Sequence, residues 1–284
     1  RLDRLPPAQQ MALKVASVIG RIFQLRGLQG VYPGDDERQR LPEHLSRLVE
    51  LDITLLQGNE PELAYIFKHA LTREVAYQLL LFSQRRRLHR AVAEWYAQSY
   101  ADNLAPHYAL LAYHWVQSLG DTPDDPAATN TALNYLELAG DQAVQTSAYR
   151  EAIEFFKEAL AIDEWAGGGD ALVRARWMGR IGAAYRGWGR YTQSLEWLEG
   201  ALNLLGEPMP SNGPSMGGRM ITEIFRQLLH RIQPRRWIGR ADPARRPELH
   251  ELAAVYQLVS EMTFFANQKG ASLYAVLRMM NISE

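Results

Sequence analysis

The sequence predicts a mainly α-helical protein with one short β-hairpin close to the N-terminus. Apolar residues recur at helical spacing along most of the 284 residues, and only two short runs have the composition of strands. A pattern of small residues also appears twice in the second half of the chain. With 47% hydrophobic residues the chain can bury the cores of two domains, which we expect to cover residues 1–100 and 101–284.

Three helices are predicted first. Residues 7–19 (PAQQMALKVASVI) follow Pro6, which suits a helix N-terminus, and the pattern ends at Gly20. A short helix near residues 25–29 precedes a turn-rich loop, VYPGDDERQ, and Pro42 opens the third helix.

The two strand candidates come next. Residues 52–57 (DITLLQ) and 62–67 (ELAYIF) flank the turn sequence GNEP, which predicts a β-hairpin. Three helices followed by a hairpin is the order of a winged helix, so the N-terminal module is predicted to be winged-helix-like. Helices with a break near Phe82 are expected over residues 68–99.

An internal repeat is the strongest structural signal. Small and large residues recur at offsets of 0, 3, 12, 16 and 19 in two segments: Gly140, Ala143, Ala152, Phe156 and Ala159, then Gly182, Tyr185, Ser194, Leu198 and Ala201. These are the packing positions of a tetratricopeptide repeat, in which small residues let two antiparallel helices approach. Residues 101–284 are therefore predicted to form an α-solenoid of tetratricopeptide-type helical hairpins.

Other parts of the array are less regular. A further helix pair is predicted at residues 249–267 and 270–282, and residues 107–121 resemble one helix of an earlier, degenerate unit. Irregular linkers are expected in three places that are rich in Pro, Gly, Asp or Arg: residues 121–126, 206–218 and 233–248.

Composition excludes several classes of function. Lys and Arg total 31 against 32 Asp and Glu, so the net charge of −1 gives no bias toward nucleic acid or an anionic membrane. The absence of cysteine excludes disulfides, thiolate metal sites and a Cys nucleophile. No apolar run approaches the ~20 residues of a membrane span, and no signal peptide is recognised, so a cytoplasmic location is expected. The first residue is Arg1 and the last lies in a predicted helix, so we expect a region of a longer polypeptide.

Residues 65–96, YIFKHALTREVAYQLLLFSQRRRLHRAVAEWY, resemble the segment after the nucleotide-binding domain in bacterial signalling ATPases of the STAND class. Three other parts of the chain support this resemblance and occur in the expected order. They are the start of the chain (RLDRLPPAQQMALKVASVIGRIF), the segment LPEHLSRLVELDITLL and the helical repeats. Such ATPases are often fused to class III adenylate or guanylate cyclase, kinase or LuxR-type domains.

The resemblance implies an ATP-driven switch whose nucleotide-binding domain lies upstream of this chain. ATP or ADP is then expected for the full-length protein, with a winged helix that restrains the nucleotide-binding domain and repeats that bind a signal, protein or peptide. This chain has no G-x-x-x-x-G-K-[ST] sequence, and Gly167-Gly168-Gly169 lacks a following Lys and is interpreted as a flexible loop. We expect neither catalysis nor a cofactor in the chain itself.

His69 is the candidate nucleotide-sensing residue. In related STAND proteins, a histidine after the hairpin, within a Met-His-Asp motif followed by Leu, contacts the bound diphosphate. The segment from Phe67 to Leu71 is similar, although Lys68 replaces the Met and Ala70 the Asp. The alternative is a histidine that caps the following helix or packs inside the module.

The densest basic cluster is formed by Arg85, Arg86, Arg87 and Arg90. Beside a winged helix, these residues raise the alternative of a transcription regulator that binds DNA phosphates. Glu94 follows Arg90 by one turn and favours an ordinary i, i+4 pair, so a solvated face or a contact to the absent domain is the preferred interpretation. Nucleic acid is not an expected partner.

The remaining candidates favour structural roles. His107 and His114 share a helix face but lack an evident third ligand, so no metal site is predicted. Tryptophans are interpreted as repeat packing and not as a ligand cage: Trp95, Trp115, Trp165, Trp177, Trp188, Trp197 and Trp237. The stretches Arg235–Trp237 and Arg245-Arg246 could be a docking loop or a solvated linker. A free-standing tetratricopeptide scaffold, in which the N-terminal module caps the array, remains the main alternative for the whole chain.

Overall fold

The computed structural model describes residues 2–58, 63–210, 213–233, 239 and 242–284. Its contacts divide the chain into two compact units, of which the first ends at Tyr135 and the second begins at Leu136. The predicted boundary after residue 100 stays a prediction, because a division by contacts does not test where a module ends. The mainly helical architecture is confirmed.

Among the described residues of the first unit, seven α-helices and three strands precede Pro126. In chain order these are α1 (Pro7–Ile19), β1 (Ile22–Gln24), α2 (Leu25–Val31), α3 (Asp35–Gln39), α4 (Leu41–Glu50), β2 (Thr54–Leu56), β3 (Ala64–Phe67), α5 (Ala70–Gln78), α6 (Phe82–Ser99) and α7 (Tyr108–Ser118).

The predicted pairing of the two strand candidates is confirmed as β2 and β3, and a third strand, β1, which was not predicted, extends the antiparallel sheet to the order β1-β3-β2. In β1, Phe23 pairs with Tyr65 of β3, and Thr54 of β2 pairs with Phe67 of β3. A strand of three residues is too short to show an alternating pattern, so its sequence carried no signal. It forms because Phe23 is buried between Tyr65 and Phe67, with ring centroids 5.9 and 5.6 Å away. The predicted turn residues Asn59-Glu60-Pro61 lie outside the described part of the chain.

Of two further local predictions, the loop needs correction and the helix break is confirmed. The loop predicted over VYPGDDERQ contains the short helix α3, whose first turn carries Asp35, Asp36 and Glu37, where carboxylates interact favourably with the helix dipole. The break predicted near Phe82 falls just before it, between the end of α5 at Gln78 and the start of α6 at Phe82.

The core of this unit surrounds α1. Leu13, Val15 and Val18 of this helix are at most 1% exposed, because α2, α4, α5 and α6 all pack against it. A helix that is apolar on nearly every side is typical of such a central position. The same core includes the inward side chains of the sheet and Leu88 and Val92 of α6.

The second unit is built from helices. These are α8 (Pro126–Gln145), in which the division between the units falls, and α9 (Tyr149–Trp165), α10 (Ala171–Gly187), α11 (Tyr191–Leu204), α12 (Gly213–Ile232), α13 (Arg246–Phe265) and α14 (Lys269–Ser283). The predicted pair near residues 249–267 and 270–282 is confirmed as α13 and α14.

Two of the predicted linkers are partly helical. The segment 206–218 was predicted to resist regular structure, yet α12 begins at Gly213 and continues through Gly217 and Gly218. The segment 233–248 includes a turn of 3-10 helix at Pro243–Arg245 and the first turn of α13, with Pro at its start. The helical apolar pattern downstream of each segment overrides the local preference of Gly and Pro. Arg235, Arg236 and Trp237 lie outside the described residues.

Three helical hairpins share one turn geometry. Three residues connect α8 to α9, α10 to α11 and α13 to α14, and the middle one is left-handed in each turn, with φ of 61° at Ser147, 77° at Gly189 and 57° at Asn267. The residue that follows donates its backbone N–H five residues back, as Arg190 does to the carbonyl of Tyr185 at 2.8 Å. Equivalent turns place the paired helices in equivalent antiparallel positions.

Candidate functional site

The hairpins are held together by the small residues that the sequence pattern selects. A Cβ atom built on Gly140 would lie 2.6 Å from Cζ of Phe156, and one built on Gly182 would lie 2.7 Å from Cγ of Leu198. Both distances are too short for a real Cβ, so glycine is required for α8 to approach α9 and for α10 to approach α11. The same offset of 16 residues thus makes the same contact in both copies.

The other repeat positions are found mostly where the pattern predicts packing. Ala152, Phe156, Ala159, Leu198 and Ala201 have no exposed surface, and Ala143 is 8% exposed. Tyr185 differs: it is half-buried and its ring stacks against Trp188, with centroids 6.3 Å apart. It therefore lines a surface groove instead of filling the space between the paired helices.

A serine hydrogen bond joins the two helices of the second hairpin, and an equivalent bond joins those of the third, which the sequence analysis did not predict. Ser194 donates its hydroxyl to the carbonyl oxygen of Gly182 at 2.7 Å, and Ser272 donates to the carbonyl oxygen of Ser260 at 3.1 Å. Both bonds span 12 residues, the offset that Ala152 occupies in the first copy. Because Ser260 and Ser272 are also 12 residues apart, the sequence alone could have assigned them to the repeat pattern.

The candidate partner-binding site is a groove of 690 Å³ between α9 and α10. Glu151, Glu154 and Glu158 line it from α9, because residues three and four apart share a helix face. Tyr185 of α10 and Trp188, which directly follows this helix, line the other side, and Trp188 is 41% exposed. The groove therefore combines carboxylates with an accessible aromatic surface.

The carboxylates of this groove are not neutralised. Glu151, Glu154 and Glu158 form no ion pair with any described residue. Partial burial, and then the negative charge of Glu154, raise the pKa of Glu158. The nearby cations face the aromatic rings instead: Arg150 and Arg190 lie 5.7 and 5.2 Å from the Trp188 ring centre. A groove of this kind favours a positively charged segment of a partner.

His69 lies at the N-cap position of α5 and is exposed. Its side chain makes no capping hydrogen bond, although its backbone carbonyl accepts one from the N–H of Thr72 at 3.0 Å. The side chain lines a cavity of 390 Å³ together with Asp52, Leu71 and other residues. The imidazole is therefore accessible to a ligand or to another domain, and its role in nucleotide sensing stays a prediction.

The four arginines of the basic cluster make different contacts, and two of them bond within their own unit. Arg85 donates to the carbonyls of Leu80 and Gln78 at 3.1 Å each. Arg90 bonds to Glu94 at 3.0 Å, which confirms the predicted i, i+4 pair, and to Asp125 at 2.7 Å.

The other two arginines of this cluster are placed differently. Arg86 is half-buried, whereas Arg87 is exposed and lines a cavity of 290 Å³. The four guanidinium groups therefore do not act as one basic surface.

The two histidines that share the predicted helix face, His107 and His114, make different contacts. His107 stacks on Tyr100 with ring centroids 4.1 Å apart, whereas His114 is 1% exposed and contacts His89. Within the described residues, no group of three or more His, Cys, Asp or Glu side chains could hold a metal ion. No helix in the same part of the chain has the length and apolar character needed to cross a bilayer.

The tryptophans occupy different environments. Trp177 is buried and donates to a carboxylate oxygen of Glu137 at 3.0 Å, while Trp188 is exposed in the groove. Glu137 also accepts from Arg176, at 3.2 Å, so α8 and α10 are tied by polar contacts as well as by packing. The predicted role in repeat packing thus describes Trp177 and not Trp188.

Comparison with known proteins agrees with the geometry of the first two hairpins. The family model of the tetratricopeptide repeat matches residues 129–207, from α8 through the end of α11. Residues 129–207 form a tetratricopeptide repeat region. The match spans both glycine contacts and the acidic groove, and such repeats typically mediate protein–protein interaction. No curated protein and no solved structure matches the chain significantly.

Proposed function

We propose that this chain is the regulatory and protein-interaction region of a larger ATP-dependent signal-transduction protein. The observation that carries the proposal is the succession, in one chain, of a helix–strand–helix–helix–helix–strand–strand module and a tetratricopeptide region. The position of β1 beside β3 agrees with a winged-helix-like module, as does the resemblance of residues 65–96 to STAND ATPases. In this proposal the module restrains a nucleotide-binding domain and the repeats bind a partner.

The exposed apolar surface around His69 supports the first half of the proposal. Leu71 and Val75 of α5, and Leu79 directly after it, are 73%, 42% and 44% exposed and line the same cavity as His69. Apolar side chains at this spacing form one face of the helix, which a neighbouring domain could cover. His69 would then lie at the edge of that interface and donate to a phosphate of the bound nucleotide.

Two measurements test this half. The coding sequence upstream of Arg1 should contain a G-x-x-x-x-G-K-[ST] motif, and its absence would contradict the proposal. In the full-length protein, His69→Ala should reduce the ADP retained on purification, whereas His250→Ala, at an exposed position of α13, should leave it unchanged. Equal ADP occupancy in the wild type and in both variants would remove His69 from the nucleotide site.

The acidic groove supports the second half. Three carboxylates without an ion-pair partner among the described residues, beside the Tyr185–Trp188 pair, fit a basic segment of the partner. A photo-crosslinking residue at Phe155, which lines the groove, should capture the partner in cells, and one at Leu273 of α14 serves as the control. Glu154→Lys/Glu158→Lys should abolish the Phe155 crosslink. A crosslink that survives this reversal of charge would show that the groove is not the recognition surface.

A free-standing tetratricopeptide scaffold is the second candidate function. The acidic groove supports a scaffold as well as it supports a regulatory region, because binding of a partner in the groove needs no ATPase domain. A coding sequence that starts close to Arg1 would support the scaffold. The DNA-binding alternative is not proposed, because Arg85 and Arg90 are engaged in contacts within their own unit.

A further inference from the structure

Methionine is concentrated in the core of the second unit. Of the eight methionines in the sequence, six belong to the apolar cluster that α13 forms with its neighbouring helices: Met178, Met209, Met216, Met220, Met262 and Met279. Met262 is 1% exposed, whereas the other five are only partly buried at the edge of the cluster. A thioether is flexible enough to fill irregular gaps between helices, and it is also readily oxidised.

Two of these methionines attach α12 to the core. Met216 and Met220 lie on the side of α12 that also carries Glu223, Gln227 and His230, because the spacing of four, three, four and three residues follows one helix face. Both methionines pack against the apolar cluster of the second unit. Among the described residues of α12, no other apolar side chain packs against that cluster. The apolar attachment of this helix to the core therefore consists of two thioethers.

The remainder of the inner face of α12 is polar. Glu223 and His230 are each 6% exposed, and Gln227 is 9% exposed. Asn281 of α14 donates to a carboxylate oxygen of Glu223 at 2.6 Å, and Gln227 donates to the carboxylate of Glu284 at 3.1 Å. These bonds replace bonds to water that the same groups would make on a detached helix, so their net stabilisation is modest. Apolar burial by the two methionines is therefore a substantial part of what holds α12 in place.

The apolar residues on the opposite side of α12 contribute nothing to this attachment. They face away from the core and are 44–71% exposed: Ile221, Ile224, Phe225, Leu228 and Ile232. Because much of their surface is in water while α12 is attached, the hydrophobic effect on these side chains does not oppose release of the helix.

Oxidation would act directly on the thioether contact. A hydroperoxide transfers one oxygen atom to the sulfur: the O–O bond breaks, an S–O bond forms, the sulfur loses two electrons, and hydrogen peroxide leaves as water. The product, methionine sulfoxide, is polar, and burial of its oxygen against an apolar cluster without a hydrogen-bond donor is unfavourable. Release of α12 would place that oxygen in water.

We propose that Met216 and Met220 form an oxidation-sensitive attachment, and that conversion of their thioethers to sulfoxides releases α12 from the core of the second unit. The co-reactant is a small hydroperoxide, which reaches both side chains because they are only partly buried. Methionine sulfoxide reductases would reverse the modification and restore the attachment. This inference is independent of the acidic groove and of an upstream ATPase domain.

Hydrogen peroxide treatment of the intact chain, followed by peptide mass spectrometry and amide exchange, tests the release. The initial rate of oxidation should be at least tenfold higher at Met216 and Met220 than at Met262, which is buried in the same cluster. In the oxidised chain, amide exchange should accelerate at least tenfold in α12 and stay unchanged in α10 and α11. Reductase treatment should restore slow exchange. Unchanged exchange of α12 after full oxidation at both positions, or equal initial rates at all three, would overturn the proposal.

Matched variants assign the effect to the two methionines. Met216→Leu/Met220→Leu keeps the apolar contact but cannot form a sulfoxide, so exchange in α12 should stay slow after the same treatment. Met209→Leu/Met279→Leu changes two other partly buried methionines of the cluster and should respond like the wild type. Met216→Gln/Met220→Gln introduces a polar group and should accelerate exchange without peroxide. An acceleration that persists in Met216→Leu/Met220→Leu, or that Met209→Leu/Met279→Leu abolishes, would contradict the assignment.

Discussion

The Nδ1 atoms of His89 and His114 lie 2.9 Å apart in the first unit, with both side chains at most 1% exposed. A hydrogen bond between two ring nitrogens accommodates one proton, so the two rings cannot both carry a proton on Nδ1. Nε2 of His89 is 3.0 Å from the hydroxyl of Tyr77, and Nε2 of His114 has no hydrogen-bond partner among the described residues. At most one of the two rings can therefore be charged, and the burial of both rings disfavours even that single charge.

The first prediction concerns acid stability. Burial, and then the positive charges of Arg73 and Arg85, lower the pKa of His89 to about 4. Burial, and then the charge of His89, lower the pKa of His114 to about 3. Because protons bind the unfolded chain more readily, this part of the stability is complete above pH ~6.5 and is lost as the pH falls toward 4. The loss is on the order of 3 kcal/mol for His89.

Urea unfolding between pH 7 and pH 4 measures this dependence. The wild type should lose stability over this range, and His89→Gln should lose less, because it removes a titrating group. His250→Gln provides the matched control, since His250 is exposed on α13. The neutral-pair interpretation is wrong if the wild type and both variants have parallel pH profiles.

The second prediction concerns the glycine contacts of the repeat. Gly182→Ala should destabilise the second unit by roughly 1–3 kcal/mol, because its Cβ would overlap Leu198 between α10 and α11. Gly270→Ala in α14 meets no atom within 4 Å and should be neutral or stabilising by up to about 1 kcal/mol. The midpoint temperatures of thermal unfolding should therefore shift in opposite directions in the two variants, or the shift should be clearly larger for Gly182→Ala. Equal shifts would show that the close helix approach is not required.

The third prediction concerns the serine bonds at offset 12. Ser194→Ala removes the 2.7 Å bond to the Gly182 carbonyl and should cost about 0.5–1.5 kcal/mol. Alanine already occupies the same place in the first hairpin as Ala152, so no packing defect is expected. Ser272→Ala, whose bond is 3.1 Å, should cost no more than Ser194→Ala. Chemical denaturation measures the loss of unfolding free energy in each variant, and the comparison holds if the m-value is unchanged.

The fourth prediction concerns the polar contact between α12 and α14. Arg278 of α14 lies 3.6 Å from a carboxylate oxygen of Glu223 in α12, which also bonds Arg226 at 3.1 Å. Arg278→Met leaves Glu223 paired with Arg226 alone and removes the partner of Glu207, so it should cost about 1–3 kcal/mol. Amide exchange should accelerate in α12 more than in α10 and α11. The double variant Arg278→Met/Glu207→Gln should recover part of the loss, because the carboxylate that lost its cation is gone. No recovery would mean that Arg278 acts through packing alone.

Much of the helical architecture could be predicted because its signals are local. The offsets of 12, 16 and 19 residues within a repeat connect neighbouring helices, so the Gly140–Phe156 and Gly182–Leu198 contacts can be read from spacing. The candidate groove could not be read in this way. Glu154 looked like any solvated residue of a helix, and Trp188 like a packing residue, until α9 and α10 were placed side by side.

The sequence by itself determined the mainly helical fold, the register of the repeats and the position of their turns, since these depend on periodicity and on residues close along the chain. The tertiary structure alone decided that Ile22–Gln24 is a strand, that His89 faces His114, and that α12 turns its apolar side outward. Strand pairing and helix rotation depend on partners far along the chain, such as Tyr65 for Phe23 and Asn281 for Glu223. No window of local sequence contains both members of such a pair.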